Sequence, residues 1–112
     1  LWVNMPIVNN TSREDFIMTF EFILNLIDSN YAKNSPLANK KVFIYDSKNR
    51  LMEDFTFYDG YSITEESKTV LKKFCESPKS ESLRFFVVRL YEDSICIYDE
   101  FRGFIIKLDR AS

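Results

Sequence analysis

The sequence predicts an α+β fold: a mostly antiparallel sheet of about five strands with two helices, in the order (β)-α-β-β-α-β-β-β. Three observations point there. Two Ser/Thr-x-x-Glu capping boxes, Thr11–Glu14 and Ser62–Glu65, each stand before a helix-period run. Residues 41–58 and 83–108 read as hairpin-linked strands. Eleven Phe and six Tyr in 112 residues supply enough ring area to fill a core in a chain this short. The length fits one domain, residues 1–112, with no repeat and no dividing linker.

Residues 5–9 read as a short strand or extended lead-in. After the first capping box, a helix is expected from about Ser12 to about Asn30. Steps of 100° place Phe16, Phe20, Ile23, Leu24 and Ile27 on one face, while Met18, Phe22 and Leu26 fall outside it. A helix apolar over most of its circumference is buried on two sides, or it offers Met18, Phe22 and Leu26 to a second chain. A loop with Pro36 follows. Lys41 to Asp46 is a strand, Ser47–Arg50 a polar turn and Leu51 to Tyr58 the returning strand. The second capping box opens a helix from Ile63 or Thr64 to Cys75, with Val70, Leu71, Phe74 and Cys75 on its inward face, and Pro78 closes it. Leu83 to Tyr91, apolar on both faces, reads as a central strand. Ile95 to Asp99 returns, Glu100–Gly103 turns with Gly103 as the expected left-handed residue, and Phe104 to Leu108 ends the sheet.

Composition excludes several chemistries. There is no His, so no Ser-His-Asp triad, Cys-His dyad or imidazole ligand. Two glycines make no phosphate-cradling loop. Cys75 and Cys96 form no CxxC, and without an evident base they read as small buried residues. Glu66-Ser67-Lys68 superficially matches a nuclease Glu-x-Lys triplet, but it opens a helix where such a triplet needs a strand. No catalytic set, metal site or cofactor is implied. A net charge of −2 argues against duplex nucleic acid as partner. No run reaches a membrane span, and the N-terminus does not read as a secretory signal, so the expected location is the cytoplasm.

Charge is unevenly placed. Residues 44–66 carry −4, residues 67–90 carry +4 and residues 91–100 carry −4. The acidic segments are also rich in Tyr. Asp54, Tyr58 and Asp59 cluster after the second strand, Glu92 and Asp93 at one hairpin tip, and Tyr98, Asp99 and Glu100 at the next. Rings give rigid contact area, and carboxylates steer association with Lys and Arg. Solvated turns account for the same pattern, and successive tips of a meander lie at opposite ends of a sheet. The class that fits is a stoichiometric inhibitor: a bacterial toxin-neutralising immunity protein, an antitoxin of the contact-dependent inhibition kind, binding a basic, nuclease-like toxin through those eight residues. The alternative is an interaction module or oligomer subunit that self-associates through Met18, Phe22 and Leu26.

Overall fold

The computed structural model describes residues 18–52 and 61–112. Along them run β1 (Met18–Thr19), α1 (Glu21–Leu24), α2 (Ser29–Asn34), β2 (Lys41–Tyr45), α3 (Glu65–Glu76), α4 (Pro78–Glu81), β3 (Phe85–Leu90), β4 (Ser94–Tyr98) and β5 (Phe104–Asp109). The strands form one sheet in spatial order β1-β2-β3-β4-β5. The α+β class matches expectation, but the details differ. The sheet is mixed, because β2 and β3 are parallel, with Lys41 opposite Phe85 and Tyr45 opposite Arg89. Parallel neighbours need a long crossover, and the chain between them includes α3 and α4.

The single helix expected from Ser12 to Asn30 is not formed over its described part. Phe20 donates its amide to the Lys40 carbonyl at 2.7 Å, and α1 ends after one turn. Asp28 then turns extended, at φ −171°, and accepts from Asn30 N (2.7 Å) and Tyr31 N (3.1 Å) to start α2. An Asp on a helix's polar stripe and an Asp that caps a new helix look alike in periodicity. The apolar circumference has the expected meaning of burial: Phe20, Phe22, Ile23 and Leu24 all lie in the core, with Leu26 packed against it. Phe22 and Leu26 therefore form no free flank for self-association. The first capping box and Phe16 lie outside the described residues.

The turn after β2 is polar as expected. Asp46 accepts the Lys48 and Arg50 amides at 2.9 Å each, with Asn49 at φ 67°. The returning strand begins with a Tyr45–Leu51 bridge, and Met52 N donates to Ile44 O at 2.8 Å. Residues 53–58 of that strand lie outside the described residues. Helix α3 is capped by Thr64, whose hydroxyl accepts Ser67 N at 3.2 Å, two residues later than the Ser62 box suggested.

Strand β3 is central and apolar on both faces for a reason. Phe86 and Val88 join the main core under α1 and α3, while Val87 packs with Phe43 and Tyr45 on the other face. Phe86 is the pivot of the main core. Its ring lies 4.4 Å from Phe20 and meets Phe74 edge-on at 5.9 Å.

Candidate protein-binding surfaces

Of the acid and Tyr residues read from the sequence, Asp54, Tyr58 and Asp59 lie outside the described residues. The remaining five fall at two ends of β4. Glu92 and Asp93 are exposed in the β3–β4 turn, whereas Tyr98, Asp99 and Glu100 sit where β4 turns into β5. A strand of five residues separates them by roughly 15 Å. They do not make one patch.

Glu100 is not available to a partner. It is buried, and its carboxylate takes three bonds from Arg84: the backbone N–H at 3.0 Å, Nε at 3.0 Å and Nη2 at 2.6 Å. The Arg84 guanidinium, then the Arg84 backbone N–H, hold its carboxyl below the usual carboxylate range. This pair clips the start of β3 to the β4–β5 turn.

Asp99 organises the turn itself. Its Oδ1 accepts Phe101 N at 2.9 Å and Gly103 N at 2.6 Å, and its carbonyl accepts Arg102 N at 2.9 Å. The left-handed residue is Arg102, at φ 67°, not Gly103 as the sequence suggested. Gly103 is closely approached: a Cβ there would stand 2.8 Å from Asp99 Oδ2, so the carboxylate that accepts the Gly103 amide would have to shift. The braced turn holds two aromatic side chains in water, Phe101 82% exposed and Phe104 62% exposed. Tyr98, half-buried, supports Phe104 edge-on at 5.8 Å.

Phe104 also lines a cleft of about 450 Å³ between β5 and the end of α3, with Phe74, Ser77, Lys79, Leu83 and Ile105. One turn back along α3 from Phe74 is Val70, 42% exposed although its helix position suggested burial. Among the described residues these are the exposed large hydrophobics: Val70, Phe101 and Phe104. Phe101 and Phe104 belong to the β4–β5 turn and the start of β5, and Val70 to α3. Sequence reasoning missed Phe101 and Phe104. The available signal was an aromatic residue inside Glu100–Gly103, where a turn favours polar residues and glycine.

The acidic end is different. A shallow cleft of about 720 Å³ there is lined by Ser47, Tyr91, Glu92, Asp93 and Arg110. Arg110 lies over the Tyr61 ring at 4.5 Å, and its amide donates to the Asp93 carbonyl at 2.8 Å. Its cation offsets part of the acidity. Burial raises the Tyr61 phenol's pKa.

The cysteines are free and buried. Cys75 lies in the main core, whereas strand alternation puts Cys96 on the sheet face opposite its core neighbours Ile95 and Ile97. The sheet therefore separates them. Burial pushes the Cys75 thiol up to about 11, and it raises Cys96 as well. Within the basic segment 67–90, Phe86 is fully buried and Phe85 packs on Phe43 at 5.5 Å. Among the described residues no Cys, Asp and Glu gather closely enough to hold a metal ion, and no helix is long and apolar enough to cross a membrane. Compared with protein-family models, curated proteins and solved structures, the chain matches none.

Proposed function

We propose that this chain is a non-enzymatic, protein-binding inhibitor module that meets its partner at the α3–β5 side. The observation that carries the reading is the pair of exposed rings, Phe101 and Phe104, held in water by a turn that Asp99 braces. Exposed apolar groups held on a rigid frame mark interaction sites, because contact removes them from water without ordering a loop. Phe101 and Phe104 are the anchors.

In its finer form the reading is a toxin-neutralising immunity protein acting in the cytoplasm, where two unpaired thiols stay reduced. Its target is then a basic, nuclease-like protein. Glu92 and Asp93 act as steering charges from the far end of β4, with Asp99 and Tyr98 at the rim of the aromatic contact.

The test is co-expression with the product of the neighbouring gene, followed by native mass spectrometry and binding kinetics. A one-to-one complex is expected. Phe101→Asp with Phe104→Asp should weaken it by about tenfold or more. Glu92→Lys with Asp93→Lys should slow association and reduce its dependence on salt. A complex indifferent to the aromatic pair overturns the contact surface. Unchanged association after both charge reversals removes the basic-partner form.

A further inference from the structure

We propose that the partner enters as an extended segment that adds a strand to the outer edge of β5, beside α3. This inference rests on the protein-binding reading and names its mode. β5 ends the sheet order, so one of its edges faces away from β4. The two ends of that edge are treated differently. At the far end the chain caps itself: Asp109 N donates to Ser67 Oγ at 2.7 Å, Thr64 N donates to the Asp109 carbonyl at 2.9 Å, and Ala111 N donates to the Ser62 carbonyl at 2.9 Å. On the inner side, Arg110 N donates to Asp93 O at 2.8 Å. Alternation along an antiparallel strand therefore turns the N–H and C=O of residue 107 outward, as it does those of residue 109.

At Lys107 no strand stands beside those groups among the described residues. The register of β5 on β4 shifts between Phe104 and Ile106, so Lys107 is the outward position that alternation assigns, next along the edge from the pairing the protein itself makes at Ile63 and Arg110. An unpaired edge is a template for another strand.

The surroundings specify what that strand carries. Its side chains would alternate between two faces. On the helix side stand Phe74 of α3 and Ile105, which line the cleft, with exposed Val70 one turn back from Phe74. Strand residues on the other side lie beside Phe104 and the Lys107 stem. Lys79 lines the cleft along with Asp99, and it makes no ion pair among the described residues. The occupant is thus an extended peptide segment with apolar residues at alternate positions and an Asp or Glu near Lys79. The outward N–H and C=O of Lys107 and the Lys79 cation select it over a second helix, which has no free backbone groups to give an edge.

The probe is a displayed library of random linear twelve-residue peptides, selected on the full chain, with the tightest sequence then synthesised. Enriched peptides should alternate apolar residues and include an acid. Val70→Asp should weaken binding by about tenfold or more. Lys107→Pro removes one outward N–H while β5 keeps its bonds to β4, so it should weaken binding by about tenfold while Lys107→Ala does not. Should Lys107→Pro fail to fold, peptides N-methylated at successive positions replace it: methylation in one register should abolish binding and in the other should leave it intact. Binding lost in Val70→Asp but untouched by Lys107→Pro and by methylation in either register overturns strand addition and leaves the protein-binding reading standing. Enrichment of no peptide also overturns strand addition, whereas the protein-binding reading falls only with the co-expressed complex.

Discussion

Phe86 on β3 and Phe104 on β5 are both Phe in one sheet, yet the structure gives them opposite roles, and truncating each to Ala separates those roles. Phe86 is fully buried and contacts Phe20 at 4.4 Å and Phe74 at 5.9 Å. Removing its ring loses the transfer free energy and leaves a cavity, a cost of about 3–5 kcal/mol that includes two aromatic contacts of about 0.5–1.5 kcal/mol each. With a urea slope of about 2 kcal/mol/M, the unfolding midpoint should drop by about 2 M. Phe104, at 62% exposure with one edge-on contact to Tyr98, should cost about 0.5–1.5 kcal/mol, a midpoint change of no more than about 0.75 M. Equilibrium urea unfolding followed by fluorescence and far-UV circular dichroism reads both. A drop larger than about 1 M for Phe104→Ala would mean that its ring is structural. The aromatic contact surface would then lose its main support. A small drop for Phe86→Ala would refute the placement of the core.

Gly103→Ala should force Asp99 off the Phe101 and Gly103 amides, because the new Cβ falls 2.8 Å from Oδ2. A loss of about 1–2 kcal/mol, or several degrees in the melting temperature, is expected in calorimetry; an unchanged melting temperature would refute the bracing role. Glu100 titrates below the ordinary carboxylate value of 4.5 because Arg84 binds its charged form. Its contribution is therefore present above pH 4.5 and lost as pH falls through the lowered value. The stability gap between the wild type and Glu100→Gln should narrow over that range in urea titrations, and a constant gap would contradict the pairing. Cys75 is raised from 9.0 to about 11, so the unfolded thiol ionises first and stability should decline from pH 9 towards 11. Cys75→Ala should flatten that decline, and at pH 8 a thiol reagent should label native Cys75 only at the rate of unfolding; fast labelling would show that Cys75 is accessible in the native state.

Local signals carried much of the fold. Short apolar runs bounded by turn residues placed β2, β4 and β5, and the doubly apolar run placed β3 at the centre, because burial on two faces leaves no polar position. Pro78 and a Thr/Glu-rich start bounded α3 within about two residues, since capping is a matter of neighbours in the chain. Absence of His excluded imidazole chemistry outright. Several features depended on the folded backbone. The parallel pairing of β2 with β3 joins segments about forty residues apart, and no local pattern encodes direction. Asp28 became a cap because the chain there had to turn towards β2. Glu100 and Arg84 are sixteen residues apart, so a carboxylate that looked like a surface charge proved to be an internal clip. The open edge of β5 and the apolar groups beside it were equally hidden: an edge exists only once the strand order is known, and exposure of Val70, Phe101 and Phe104 is decided by what packs around them.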